Sequence, residues 1–568
     1  MTQPPASTID PTTLSPARRR LLFGTCFIAL VATSFSFIVR ANLGGVWGEQ
    51  FGLSQTQTGE IFGAGLWPFA ISIVLLSLVI DRIGYRVTMW FALACHLLSV
   101  LVTLSAGAIK LDPYWVLWTG SVINGLGNGA VEAAINPIVA GMYRNKTKWL
   151  TILHAGWPGG LALGGILTLS LAGGPVAGVL PGPVLADYAE LGNWRWQQLL
   201  LLVPMVIYGV LLVFTRFTTS ERVAAGVPYR AMLREVGTLG MWLVLWLVCW
   251  ELTRVANNLA GLDGNVLQLA GIGAAIAAVL TLPFAVAVRG YPGHWLFLLL
   301  MVVMIPLATT ELGTDAWIDA LMTPAMAALG ETWFDQPLDG LWVLIYTASL
   351  MMVLRLTCGP LVRWLGPLGI LAMSCIFAAV GISFMSVATG LVILAAATVY
   401  GIGQSFFWPA TLGLVAERFP RGGAMTLNGI AAVGMLGVGV IGTQLLGTIQ
   451  DDRIEARLLT DEPALHGQVI GEPQTGLFGS YRAIDQDALE ALPDEPRQRV
   501  QTTRDTAKRT ALLFSASLPL GMLVVYLLLI AGFRLRGGYK PVELTAGHAG
   551  DDVPLDPVPG VGHEGPVR

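Results

Sequence analysis

Residues 120–165 read GSVINGLGNGAVEAAINPIVAGMYRNKTKWLTILHAGWPGGLALGG, two apolar segments around a short basic turn of Arg144, Lys146 and Lys148. The first segment carries Asn124, Asn128, Glu132 and Asn136, each four residues after the last. On a helix that spacing makes one slowly drifting polar stripe. Gly125, Gly129 and Ala133 form a small-residue stripe beside it, where a second helix can approach closely. A carboxylate in mid-bilayer costs about 2.5–3.5 kcal/mol on insertion scales. Glu132 must therefore face a protein interior or a wet cavity.

The rest of the chain is in keeping with a membrane setting. Of its 568 residues 54% are hydrophobic and only 12% charged, with mean hydropathy +0.67. A soluble domain carries roughly 25% charged residues, so a polytopic all-α membrane protein is the class that fits. The net charge of -3 and the lack of a basic block give no sign of nucleic acid as a partner. Cys26, Cys95, Cys249, Cys358 and Cys375 all fall in apolar segments without CxxC spacing, and read as small core residues. No metal-ligand cluster, P-loop or nucleophile–base signature stands out, so neither enzyme chemistry nor a cofactor is expected.

Apolar runs of about 20 residues fall near 21–46, 59–80, 87–108, 114–142, 149–172, 196–216, 240–257, 266–288, 295–314, 341–358, 367–387, 390–416, 424–449 and 510–533. With the N-terminus inside, the short inside turns gather Arg82 and Arg86, Arg144 to Lys148, Arg216 to Arg234, Arg289, Arg355 and Arg363, Arg418 and Arg421, and Arg534 to Lys540. That agrees with the positive-inside rule for fourteen spans with both termini cytoplasmic. The outside segment 314–340 is acidic, with Asp315, Asp319, Glu331, Asp335 and Asp339. The expected organisation is a disordered start (1–17), a six-helix bundle (18–216), a linker with two extra helices (217–294), a second six-helix bundle (295–535) and a disordered tail (536–568). The second bundle includes a polar outside segment (451–508), read as a small cap or a loop. Aligning Gly125 with Gly401 also matches Gly127 with Gly403 and places Glu132 opposite Trp408, a weak internal repeat.

Ser77-Leu78-Val79-Ile80-Asp81-Arg82-Ile83-Gly84-Tyr85-Arg86 resembles the G-x-x-x-D-R-x-G-R-R loop of the major facilitator superfamily, with Ser77 and Tyr85 as departures. The resemblance covers about residues 20–216 and 295–535. It implies two six-helix bundles around a central cavity, with 240–257 and 266–288 as extra helices at the periphery. E-A-A-x-N-P at Glu132–Pro137, H-A-x-x-P-G-G at His154–Gly160 and the stretch Glu311–Ile318 resemble the fucose/glucose–galactose sugar:proton symporters. Phe37–Asn42 instead resembles the anion:cation symporters, where a first-span Arg is associated with anionic substrates. The resemblance thus implies uptake of a sugar or polyol with a proton (or sodium), or symport of an organic anion. It also implies a monomer in the lipid bilayer of the plasma (cell inner) membrane. A transport-dead receptor is the reading from another class, and it has no need of an acid at position 132.

Glu132, Asn128 and Asn136 read as a hydroxyl-binding site with a protonatable coupling carboxylate, or as a network tying helices together. Arg40, with Asn42 beside it, reads as a ligand for a substrate carboxylate, or as a buried partner of Glu132, or as a side chain reaching the outer interface. His154 reads as a proton relay or a satisfied histidine near the inside end of its span. Glu311 is expected near the outer end of its span, at an entrance or a wetted helix end. Gln404 and Trp408, one turn apart, read as an amide and a ring against a polar ligand, or as packing. Asp81, Arg82 and Arg86 read as a gating cluster bridging helices, and Glu251 with Arg254 as a self-neutralising i,i+3 pair. Gly437–Gly442 matches G-x-G-x-x-G but lies mid-span, so helix packing is expected there. Reporter fusions placed after Asn258 and after Arg289 are expected to report outside and inside respectively; the reverse result is incompatible with fourteen spans.

Overall fold

The computed structural model describes residues 14–171, 193–262, 264–314, 332–333, 336–337, 340–388 and 392–544. The acidic residues Asp315, Asp319, Glu331, Asp335 and Asp339 lie outside the described residues, as does the Asp315–Ile318 part of the sugar-symporter match.

Among the described residues, twelve helices are long and apolar enough to cross a membrane. Pro113–Met142, whose hydropathy is diluted by its asparagines and glycines, and the shorter Gly340–Leu356 pack among them. They occupy the fourth and tenth places in the expected order.

The small-residue stripe works as its composition suggests. Gly125 and Gly129 touch the backbone of Gly65 and Phe69, so closely that a Cβ at either position would overlap it. In the other half Gly381 lies against the backbone of Tyr400, and Gly403 against that of Ala378. Lipid tails are as apolar as leucine, so close packing rather than the hydrophobic effect holds such helices together.

Several crossings are broken. Interruptions at Ala64–Leu66, His154–Ala155, Ser405–Phe406 and Ala516 are each followed by a proline in the first turn of the next segment: Pro68, Pro158, Pro409 and Pro519. Proline lacks the N–H that would bond the carbonyl four residues back, and its ring crowds that carbonyl. Pro306 precedes a π-helical turn at Thr309–Gly313, and a second π turn spans Val438–Gly442. The G-x-G-x-x-G run ends in this second turn, where Gly442 packs against Thr309 and Gly437 against Ile305, as helix packing requires.

The extra helices are Tyr229–Leu259 and Val266–Ala287, joined where Gly273 meets the backbone of Trp250. Only the second is peripheral. The first buries Met241, Val244, Leu247 and Trp250 and packs against Trp67–Ile83 of one half and Trp295–Ala308 and Gly423–Gly437 of the other. It fills a seam between the halves.

The polar segment 451–508 is a folded cap. Helices Pro463–Val469, Gln486–Glu490 and Asp494–Ser515 and a two-stranded hairpin enclose a small core of Ile454, Leu458, Leu465, Val469, Leu489, Val500 and Ala507. The tail, expected to be disordered from 536, is held as far as residue 542. Tyr539 donates to Glu417 Oε2 at 2.8 Å and the Val542 N–H to the Glu417 carbonyl at 2.8 Å.

Gly129→Ala is expected to cost about 1–3 kcal/mol, the usual scale for overpacking a tight contact, and to lower the thermal midpoint of the purified protein in detergent. Gly24→Ala, with nothing within 4 Å of its Cβ position, is the control and should leave the midpoint unchanged or raise it.

Candidate functional site

Glu132, His154, Trp157, Glu311, Arg355 and Trp408 line one small cavity, bordered by Phe69, Leu312 and Met435. The cavity draws on both halves of the chain. Glu132 and Trp408, opposite each other in the internal repeat, are both on its wall.

The polar stripe divides as its drift requires, since four residues turn a helix about 40° past a full circle. Asn124 and Asn128 face neighbouring helices. Asn124 donates to Ser36 Oγ at 3.2 Å, and Asn128 Oδ1 lies 2.9 Å from His96 Nε2, whose Nδ1 lies 2.8 Å from the Tyr208 hydroxyl. Glu132 and Asn136 face the centre. Asn136 Nδ2 donates to Glu132 Oε2 at 2.5 Å, and Asn136 Oδ1 lies 2.9 Å from His154 Nε2. The amide thus has its acceptor toward the imidazole and its donor toward the carboxylate, which sets Nε2 of His154 as the protonated nitrogen. Glu132 has no ion-pair partner among the described residues.

Arg355 is the residue that sequence reading misplaced. The charge count puts it in a short inside turn, but its side chain is only 1% exposed. Its guanidinium donates to Glu311 Oε1 at 2.8 Å, to the His154 carbonyl at 2.8 Å and to the Ser405 carbonyl at 2.6 Å. Those two carbonyls lie four residues before Pro158 and Pro409. The prolines remove the N–H that each carbonyl would meet four residues on, and Arg355 donates to both, the His154 carbonyl also accepting the Trp157 N–H at 3.3 Å. The positions of the two prolines were the available signal. Glu311 sits in the π turn rather than at a wetted helix end, and its Oε2 accepts the Trp408 N–H at 3.2 Å.

The remaining candidates lie elsewhere. Arg40 is buried within the N-terminal half, bonded to Ser121 Oγ and, at 3.3 Å, to the Ile61 carbonyl, and it does not pair with Glu132. The half-buried Asn42 leaves its Nδ2 without a hydrogen bond among the described residues. Gln404, fully buried at the end of its helix, has both amide atoms without partners among the described residues and does not line the cavity.

Asp81, Arg82 and Arg86 do not act together. Asp81 is held by Arg222 from the linker at 2.6 and 3.0 Å, Arg82 lies over the Tyr229 ring, and Arg86 is exposed. At this end of the molecule the halves are also tied by Thr147, which donates to Glu417 Oε1 at 2.6 Å, and by Lys146, which reaches Glu221 at 2.6 Å and the Ala416 carbonyl at 3.3 Å. Asn428 donates to the Ala133 carbonyl at 3.1 Å. The basic end is therefore closed. Thr147, Arg222 and Glu417 were not legible as a latch, because their partners lie up to 270 residues away.

The profile of the Major Facilitator Superfamily matches residues 21–443. The chain belongs to this superfamily. Among curated proteins it is 27% identical over 201 residues to a gentisate transporter of Corynebacterium glutamicum, a stretch covering 34% of this chain and 40% of the relative. It is 26% identical over 160 residues to a hexuronate transporter of Bacillus subtilis, covering 28% and 33%. The aligned part thus spans well under half the length of either relative. Among solved structures, the proton:xylose symporter XylE bound to 6-bromo-6-deoxy-D-glucose superposes with a TM-score of 0.53 at 13% identity, over 80% of this chain and 93% of that one. A bacterial homologue of the human peptide transporters PepT1 and PepT2 gives 0.51 at 13%, over 90% and 99%. Both likenesses are of fold.

Arg355→Met is expected to destabilise the protein by about 3–5 kcal/mol, the scale for stranding one partner of a buried ion pair. Adding Glu311→Leu should recover much of that loss. A thermal unfolding series on the three proteins checks it: a single variant as stable as the parent would mean the pair holds nothing together.

Proposed function

We propose that this chain is a secondary transporter that moves a small polar solute, a sugar or polyol in the first place, together with a proton. In this reading it crosses the plasma membrane fourteen times with both termini cytoplasmic, and works by alternating access to the cavity between its halves. The observation that carries the reading is the position of Glu132: a carboxyl on the cavity wall, hydrogen-bonded to Asn136, beside a Glu311–Arg355 pair that is already neutral as a unit. With Glu132 protonated the cavity has no net charge, and with Glu132 ionised it has one. Moving an unpaired charge through a closed, desolvated state is costly, so the bundle closes readily only on the protonated form. The chemistry of such a site suits a neutral polyol once the cavity opens, with polar partners in Glu132 and His154 and the rings of Trp157 and Trp408 for its apolar face. The contacts of Thr147 with Glu417 and of Lys146 with the Ala416 carbonyl then hold the cytoplasmic side shut while the solute enters from outside.

A second reading is symport of an organic acid, such as a sugar acid or aromatic carboxylate. Arg355 favours it, because a guanidinium in the cavity can exchange Glu311 for a substrate carboxylate. The sequence relatives named as gentisate and hexuronate transporters point the same way.

Transport in reconstituted vesicles separates the two readings. For a sugar symporter, Glu132→Gln should abolish proton-driven accumulation and leave counterflow largely intact, since the amide keeps the hydrogen bonds and loses the titration. Arg40→Lys should do modest harm, because Arg40 is bonded within its own half. Wild-type-like coupled accumulation in Glu132→Gln would overturn the proton-coupling assignment. Displacement of bound sugar acid, but not of any neutral sugar, would select the second reading.

A further inference from the structure

A second, roomier cavity opens where the first extra helix meets the N-terminal half. Glu60, Trp67, Trp118, Glu251, Arg254 and Asn258 are on its wall. It lies at the end of the bundle opposite the closed basic end, between the starts of two N-terminal helices and the end of Tyr229–Leu259.

Its charges do not cancel. Arg254 grips both oxygens of Glu251, at 2.7 and 2.9 Å, so that pair is neutral as a unit. Glu60 accepts the Tyr114 hydroxyl at 2.7 Å and forms no ion pair among the described residues. The cavity thus carries one unneutralised carboxylate, and the indoles of Trp67 and Trp118, with ring centroids 6.3 Å apart, are on the same wall. A carboxylate beside indole faces is a site for an organic cation. Arg254 uses its Nε and one Nη on Glu251, so its other Nη is left to donate to an anionic oxygen. The complement is a zwitterion with an ammonium and a phosphate a few bonds apart.

The surroundings indicate where such a group comes from. Trp115 is 48% exposed, and Leu252 and Leu259, seven residues apart on one helix face, are 38% and 45% exposed. Indoles above exposed leucines mark the level of lipid headgroups at a membrane surface. Acyl chains can run down the leucine face while the headgroup enters the cavity.

We propose that this cavity binds a zwitterionic amino-phosphate headgroup, that of an aminophospholipid in the outer leaflet, with the ammonium at Glu60 and the two tryptophans and the phosphate at Arg254. The site is built by the first extra helix and does not rest on the transport reading.

The test titrates purified full-length protein in detergent with dihexanoyl phosphatidylethanolamine, dihexanoyl phosphatidylglycerol and O-phosphoethanolamine, counting bound ligand by native mass spectrometry. The ethanolamine lipid should bind and the glycerol lipid should not. Glu60→Gln, which keeps an acceptor for Tyr114, should weaken binding about tenfold, the scale of one lost charge-assisted contact. Trp118→Leu should weaken it as well, and Glu132→Gln should not. Binding of O-phosphoethanolamine as tight as that of the lipid would keep the headgroup site and make its ligand a soluble one. Equal binding of both lipids, or unchanged binding in both Glu60→Gln and Trp118→Leu, overturns the proposal.

Discussion

The central cavity depends on one guanidinium. Arg355 comes from a short helix of the second half and meets a carboxylate and two carbonyls whose partner four residues on is a proline. Each carbonyl is exposed by a proline four residues later, one in each half of the chain. A buried arginine without partners is very costly, and so is a buried carbonyl, such as that of Ser405, without a donor. Together these costs cancel, and the arrangement fixes where the two breaks lie. His154 enters the cavity wall because its helix stops there. Trp408 enters because the next helix starts just after Ser405 and offers its N–H to Glu311.

Much of this was legible in the chain. The four-residue spacing from Asn124 to Asn136 fixed a helix, and the drift of that spacing accounts for its division into a packing end and a cavity end. Gly125 and Gly129 announced a close neighbour and have one. Glu132, His154, Glu311 and Trp408 were each marked as candidates and share the cavity. Arg40 and Gln404 were marked on the same grounds and lie outside it, because a polar residue in a span need only be buried, not central. Arg355 escaped notice because counting basic residues treats every arginine near a span end as an anchor. A rule about topology has no term for one that turns inward.

The closed basic end shows a similar limit. Asp81 was read with Arg82 and Arg86 as one cluster bridging helices, yet it is Arg222 that holds it, from the linker. That bond joins the loop between the second and third helices to the segment leading into the first extra helix. The first extra helix is thus anchored at its basic end as well as along the seam it fills. Glu417 has a double role. One oxygen holds Thr147 of the opposite half, and the other holds Tyr539 of the tail. Tail and latch share a carboxylate, so movement of one is felt by the other.

These contacts also order the events of a cycle. The bond from Arg355 to the His154 carbonyl crosses between the halves at the cavity, while Thr147–Glu417 and Asn428 to the Ala133 carbonyl cross at the basic end. Opening that end breaks the latter two and returns their groups to water, where each regains most of the lost hydrogen-bond energy. Breaking the Arg355 contact returns nothing to water while the cavity stays closed, so it is the stiffer joint. The halves must therefore rock about the cavity rather than part at it. In the proposed cycle the charge that decides whether they rock sits beside that joint, at Glu132.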